Sequence, residues 1–424
     1  MLEARAIVAI AFVAAGCGGR TQDADVREPH VLRAAVGTWD DGSGRVGTAA
    51  LTTVRTQAGG VPVDGWTVRL TRGGELLGAQ AAYGAGARYA LSWWPDVAPA
   101  AGSTYDVVAS DGRETLTAAA PLPDGALLAV PEPALALDGS RLGWPAVSGA
   151  SAYACVLTAG ATVHLQELST APGCDITALP AGGYLGSIEA LSVDPETLCS
   201  TGQPELPGRV DVSHARLGLL RRDTGAPLLL RAAGGRIDYG LVPGLAVWIG
   251  LARGDGTADG GTWSVEVTGP NLPAGDPLRF TLPANFTRLM VWVYGVAPDP
   301  GLYTLTARSG AEAVATQFAI GAPDPLTLPD GISAQTPGSG TVKLTWNAVP
   351  GARSYLAAAW LGNAYVAGQW VAGTEAQFPA GTFTMGVTYD VYVTATDADM
   401  AGGSPPTRVS ASENSYTPAS FVAP

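Results

Sequence analysis

An internal repeat constrains the fold of this chain more than any other feature, because self-similarity along a sequence marks tandem or stacked units. One kind of unit carries a Trp-containing segment at 65–70, and a similar segment returns at 262–267. A second kind opens with Leu-Pro-Asp-Gly at 122–125 and again at 328–331. The sequence therefore predicts two kinds of unit in the order A-B-A-B, as if a two-unit cassette had been duplicated.

Apolar and polar residues alternate within the repeated segments. Trp66, Val68 and Leu70 fall on one face of an extended segment, and so do Val391 and Val393 in the last unit. A period of two is the period of a β-strand, and the 56 glycines and 32 prolines suit many short strands joined by turns. The predicted fold class is all-β: tandem antiparallel β-sandwiches after an N-terminal signal helix.

The N-terminus has the layout of an export signal. An apolar run at 6–15 follows Arg5, and Gly16 and Cys17 come directly after it. The run is too short for a permanent transmembrane helix. The segment 14–17, Ala-Ala-Gly-Cys, resembles the lipobox of bacterial lipoproteins, which implies that Cys17 is acylated and anchors the chain to a membrane.

The glycine after that cysteine implies, by the same resemblance, a cell-envelope location at the outer membrane or cell surface. An ordinary secretory signal cut near the same place is the alternative. The formal net charge of -13 and the pI of about 4.6 oppose binding to nucleic acid, so no nucleic-acid partner is expected.

The repeat also sets the predicted boundaries of the units. After the leader we expect the following segments: 1–17 signal peptide and lipobox, 18–30 polar tether, 31–121 Ig-like, 122–207 fibronectin type III-like, 208–327 Ig-like and 328–424 fibronectin type III-like. Because the linkers between these units are short, the sequence predicts a semi-rigid rod that holds its C-terminal end away from the membrane.

Family resemblance supports the two kinds of unit. The B units resemble fibronectin type III domains through a tryptophan and a tyrosine at a constant spacing and a tyrosine that leads a later strand, at Trp144, Tyr153, Tyr184, Trp346, Tyr355 and Tyr389. Gly386 precedes Tyr389 by the spacing of a tyrosine corner. The A units resemble bacterial Ig-like domains through the Gly-rich turn at 59–65, before Trp66.

Three further cysteines, Cys155, Cys174 and Cys199, lie in the first B unit. An exported protein can keep a disulfide. We favour Cys174 with Cys199, because Cys155 alternates with Tyr153 on the core face. Three free buried thiols are the alternative.

Metal and catalytic sites find little support. Asp255, Asp259 and Glu266 have the spacing of a calcium loop, but Glu266 falls in a predicted strand rather than a helix, so a plain glycine-rich turn is favoured and no metal is expected. The histidines are not spaced as metal ligands, and no nucleophile elbow or phosphate-binding loop is present. We expect no enzyme activity and no cofactor.

Aromatic side chains offer a carbohydrate alternative, since sugars stack on exposed rings. Trp93 with Trp94, and Trp360 with Tyr365 and Trp370, are the candidates. Most other tryptophans are excluded because they sit in core registers: Trp66, Trp144, Trp263 and Trp346. The favoured function is a structural or adhesive envelope protein that contacts other proteins. A polysaccharide-binding module and an accessory subunit of a secreted enzyme are the alternatives.

Overall fold

The computed structural model describes residues 10–11, 28–199, 205–240, 242–272, 277–321, 325–338, 340–400, 406–414 and 418–424. Nearly all of its regular structure is β. Within this part of the chain no helix is long and apolar enough to cross a membrane. The predicted signal helix falls largely outside the described residues, and its two described residues, Ile10–Ala11, form a short strand instead.

The first unit is a sandwich of a four-stranded and a three-stranded sheet, in the orders β5-β4-β7-β8 and β6-β3-β2, and β1 pairs with the edge strand β6. Its strands are β1 (Ile10–Ala11), β2 (His30–Asp40), β3 (Val46–Thr56), β4 (Trp66–Arg72), β5 (Glu75–Tyr83), β6 (Ala90–Trp94), β7 (Thr104–Ser110) and β8 (Thr115–Pro121).

The second unit has the sheets β13-β10-β9 and β12-β11-β14-β15. Its elements are β9 (Ala134–Leu135), β10 (Arg141–Gly143), β11 (Ala152–Ala159), β12 (Thr162–Ser169), β13 (Gly173–Asp175), β14 (Gly182–Leu191), α1 (Pro195–Leu198) and β15 (Val212–Arg221). The closing strand β15 pairs with β14 along its whole length, although it lies beyond residue 207, where the sequence placed the end of this unit.

The third unit repeats the arrangement of the first, with sheets β19-β18-β21-β22 and β20-β17-β16. Its strands are β16 (Leu228–Asp238), β17 (Pro243–Ala252), β18 (Trp263–Thr268), β19 (Leu278–Leu282), β20 (Arg288–Tyr294), β21 (Gly301–Ser309) and β22 (Glu312–Ile320).

The fourth unit repeats the second, with sheets β23-β24-β27 and β26-β25-β28, the last completed by β29 and β30. Its strands are β23 (Ser333–Gly338), β24 (Thr341–Thr345), β25 (Ser354–Leu361), β26 (Ala364–Val371), β27 (Glu375–Phe378), β28 (Thr388–Thr396), β29 (Ala411–Glu413) and β30 (Ala419–Val422).

All four units share one strand order, and each closes one end of its sandwich with a tyrosine hydroxyl. The predicted tyrosine corner is present, because the Thr384 amide donates to the Tyr389 hydroxyl at 3.0 Å. Tyr105, Tyr184 and Tyr303 make equivalent bonds with backbone four or five residues upstream. The sequence pointed to this motif in the last unit alone.

The hydrophobic residues form four separate cores, one in each unit. The predicted core tryptophans Trp66, Trp144, Trp263 and Trp346 are all buried. Two further apolar clusters join the first unit to the second and the third to the fourth. The domains are thus distinct sandwiches with substantial apolar contacts between them.

Strand pairing joins neighbouring units edge to edge. The end of β2 pairs in parallel with the start of β15, and the end of β16 pairs in parallel with β29. The two units of each cassette are therefore joined in the same way. The cassettes themselves are linked by antiparallel pairing between β15 and β16. The first and last units also touch, because the Thr407 hydroxyl donates to the Gly42 carbonyl at 3.0 Å. The predicted extended rod is therefore wrong.

Candidate functional site

The outer face of the four-stranded sheet in the fourth unit carries an exposed aromatic group. Alternation along β25 sends Tyr355 and Ala357 into the core and Trp360 outward. Strand pairing places Tyr365 opposite Trp360 from β26, and Trp370 lies farther along the same face. We call Trp360, Tyr365, Trp370 and Tyr392 the aromatic face.

Trp360 contacts two other rings of the aromatic face edge to face. The centroids of Trp360 and Tyr365 are 5.5 Å apart, and those of Trp360 and Tyr392 are 6.2 Å apart. Gly368 makes room for this arrangement, since a Cβ there would come within 2.6 Å of the Tyr365 hydroxyl oxygen. Tyr365 nevertheless stays 56% exposed. The rings therefore support one another and still present apolar surface to solvent.

An acidic side chain borders these rings. Asp390 lies opposite Trp360 on β28, and it shares the outward register with Tyr392. Burial raises the pKa of the Tyr392 hydroxyl, and the nearby Asp390 and Glu413 carboxylates raise it further. The hydroxyl of Tyr392 stays protonated at neutral pH, so it can both donate and accept a hydrogen bond at the edge of the aromatic face.

The same positions in the second unit carry no aromatic residue. Thr158 and Val163 pair there as Trp360 and Tyr365 pair in the fourth unit, next to the same irregularity of register. Part of the face is covered, because Val156 and Leu168 pack against the apolar cluster that joins the first and second units. The aromatic face therefore belongs to the fourth unit and is not a general feature of the repeat.

The two predicted tryptophan pairs have different surroundings. Trp93 is 6% exposed in the cluster between the first and second units, and Trp94 is 2% exposed in the core of the first unit. The prediction that Trp93 and Trp94 contact carbohydrate is therefore wrong. Trp360 and Trp370 are half-buried and lie on an open face, and Tyr392 is a residue that the sequence reasoning missed. The sequence did contain a signal for it, because alternation with the inward Tyr389 and Val391 places Tyr392 on the outer face.

The disulfide differs from the pair favoured from the sequence. Cys155 is bonded to Cys174, and Cys199 is a buried free thiol. Cys155 and Cys174 point into the same core from opposite sheets, whereas Cys199 lies in the cluster between the first two units. Burial raises the pKa of the Cys199 thiol to about 11, which leaves it protonated and unreactive at neutral pH.

The weak calcium candidate has its carboxylates engaged by other groups. Asp259 forms ion pairs with Arg222 at 2.6 Å and with Arg253 at 3.3 Å. Glu266 pairs with Arg279, and Asp255 accepts hydrogen bonds from Thr257. No group of three or more potential ligands that could hold a metal ion occurs within the described residues. The expected lipidation site, Cys17, lies outside those residues and stays a prediction.

Among known proteins, only solved structures are similar to this chain, and no protein-family model and no curated protein matches it. The crystal structure of the chicken CNTN1 FN1-FN3 domains is similar, at 12% identity over 70% of this chain and 97% of that one, with a TM-score of 0.21. A two-domain fibronectin type III segment from chicken tenascin is similar at 16% identity over 42% and 90%, with a TM-score of 0.18. At such TM-scores, the sandwich architecture rests on the strand pairings described above.

Proposed function

We propose that this chain is a non-catalytic, lipid-anchored envelope protein that makes adhesive or structural contacts with another protein through the aromatic face of its fourth unit. The lipid anchor is proposed from the lipobox-like segment that ends at Cys17. The four sandwiches act as a framework that presents the contact surface.

The observation that supports this proposal is the group of exposed and half-buried rings on the outer face of the sheet. Tryptophan and tyrosine are enriched among the residues that dominate protein binding energy, because they bury large apolar surfaces and keep a polar tip. Trp360 and Tyr365 combine these properties, and the mutual ring contacts limit the conformational entropy lost on binding.

Polysaccharide binding is a second candidate, and the acidic border favours it. Sugar recognition combines a flat ring with a nearby hydrogen-bonding group. Trp360 next to Asp390 meets that description. A role as accessory subunit of a secreted enzyme has no comparable observation within the described residues.

Pull-down from isolated envelopes tests the proposal. The full-length acylated chain is compared with a Trp360→Ala/Tyr365→Ala variant, and we expect the variant to lose bound partner by about tenfold or more, since central aromatic contacts commonly contribute 2 kcal/mol or more. The matched control is Met385→Ala, which removes a residue of the same unit that is 79% exposed and outside the aromatic face.

Treating the envelopes beforehand separates the two candidates. Protease treatment should abolish capture if the partner is a protein, and periodate treatment should abolish it if the partner is a polysaccharide. Equal capture by the wild type and the double variant, with near-UV circular dichroism showing that both are folded, would reject the aromatic face as the contact surface.

A further inference from the structure

A small cavity lies where all four units meet. Asp41 from the first unit, Glu132 and Arg216 from the second, Arg231 and Gln317 from the third, and Thr407 from the fourth line a space of about 60 Å³. About 10–15 Å³ of such space holds one water molecule, so this space has room for a group of a few heavy atoms.

One of the two arginines in this junction cavity already has a carboxylate partner. Arg216, on β15, donates to the Asp41 carboxylate at 2.9 Å, and its guanidinium lies 5.9 Å from the centre of the Trp39 ring. The same carboxyl group of Asp41 also accepts a hydrogen bond from the Ser43 hydroxyl. The charges of Arg216 and Asp41 therefore balance each other.

In the part of the chain that the structure describes, the positive charge of the second arginine has no carboxylate in direct contact. Arg231, on β16, donates to the Pro133 carbonyl at 3.1 Å and lies 6.0 Å from the centre of the Trp248 ring. Among the described residues Arg231 forms no ion pair, although the exposed Glu132 carboxylate at the rim attracts it and the Arg288 guanidinium repels it from farther away. Burial lowers the pKa of Arg231 to about 10, which still leaves the guanidinium charged at neutral pH.

A partly buried cation without an ion-pair partner loses solvation that nothing in direct contact replaces, and a bound anion offsets that cost. The planar guanidinium group matches the geometry of carboxylate and phosphate oxygens. Gln317 adds a side-chain amide to the lining, which can donate a hydrogen bond. The lining is therefore suited to an oxyanion.

We infer that the junction cavity binds a small oxyanion, phosphate or a carboxylate, between Arg231 and Arg216. Such an anion contacts Arg216 of the first cassette and Arg231 of the second, so its binding favours the closed arrangement of the two cassettes. A ligand that binds the folded chain alone stabilises it in proportion to the logarithm of its concentration.

Thermal unfolding of the full chain provides the test. Inorganic phosphate and acetate are titrated separately against chloride at constant ionic strength, so that phosphate and carboxylate sources are distinguished. We expect one of them to raise the Tm of the wild type, and we expect Arg231→Gln to remove that rise. Arg279→Gln is the control, because Arg279 is an exposed arginine remote from the cavity lining.

A second variant keeps the test decisive if Arg231→Gln does not fold. Glu132→Gln removes the rim carboxylate that would repel an anion, so the affinity for the stabilising anion, measured by titration calorimetry, should increase about threefold for a modest electrostatic gain. An unchanged affinity in Glu132→Gln, or equal Tm rises in the wild type and Arg231→Gln, would overturn the assignment.

Discussion

The second and fourth units are two versions of one sandwich that differ at matched positions. Cys155 and Cys174, which form the disulfide of the second unit, correspond through strand register to Ala357 and Ala376 in the fourth. The outer face differs as well, because the second unit is covered by aliphatic contacts with the first unit and the fourth unit exposes the aromatic face.

Gly183, near the start of β14, marks a third difference. A Cβ at Gly183 would come within 2.1 Å of the Ala313 carbonyl oxygen, so the second unit receives β22 of the third unit at backbone distance. The tyrosine-corner alignment of Tyr184 with Tyr389 places Thr388 at the equivalent position in the fourth unit. The comparison teaches that, apart from the disulfide, the copies keep their inner faces and diverge where each meets a neighbour or solvent.

Removing the disulfide should produce the largest effect. Cys155→Ala/Cys174→Ala gives the second unit the residues of the fourth, and we expect it to lose about 3 kcal/mol of unfolding free energy, because the bond closes a loop of 19 residues. Hydrogen exchange of the β10 and β11 amides reports this loss, and the β24 and β25 amides of the fourth unit serve as the internal reference.

The reverse exchange sharpens the comparison. Ala357→Cys/Ala376→Cys should form a disulfide in the fourth unit and raise its stability under oxidising conditions relative to reducing ones. Unchanged exchange in the second unit of the first variant would show that the bond does not account for the difference between the units.

Adding a side chain where the two cassettes meet at backbone distance should have a smaller effect. Gly183→Thr introduces the residue of the fourth unit, and we expect a loss of about 2 kcal/mol through overpacking against the Ala313 carbonyl. Urea unfolding measures it. The control is Gly373→Thr, where a Cβ meets nothing within 4 Å. Equal losses in both variants would mean that replacing a glycine by threonine, and not the joint, sets the effect.

Alternation and repetition predicted the inner faces well, because core contacts lie within one unit. The register of Trp66, Trp144, Trp263 and Trp346 was sufficient to place each of them in a core. The same reasoning failed for Trp93. Period two shows that Trp93 points away from its own core, but it carries no information on which other unit covers the outward face.

The disulfide could not be predicted for a related reason. The alternation of Cys155 with Tyr153 correctly placed its side chain inside, but we took an inward cysteine to be unpaired. Cys174 enters the same core from the opposite sheet, so the pairing depends on how two sheets stack and not on either strand alone. The aromatic face was found in part, since Trp360, Tyr365 and Trp370 are near in sequence and Tyr392 comes from a distant strand.

A buried contact between a histidine and a glutamate distinguishes the first cassette from the second. His214 on β15 contacts Glu189 on β14 at 3.0 Å, and its ring lies 5.8 Å from Trp39 and 6.1 Å from Trp93. Arg216 and Asp41 are the other charged groups whose fields reach it. In the fourth unit, Thr394 and Glu413 face each other at the matched strand positions and form a hydrogen bond of 2.8 Å.

Stability of the first cassette should therefore fall on mild acidification. Burial, with Arg216 adding to it, lowers the pKa of His214 below its ordinary 6.5, so the folded state binds fewer protons than the unfolded state. The contribution of His214 is complete above about pH 6.5 and decreases below it, by at most about 1.4 kcal/mol for each pH unit. Urea unfolding at pH 7 and pH 5 should show this loss in the wild type and a smaller loss in His214→Gln. Parallel losses in both proteins would assign the pH dependence to other groups, because the glutamine keeps a polar partner for Glu189 and cannot titrate.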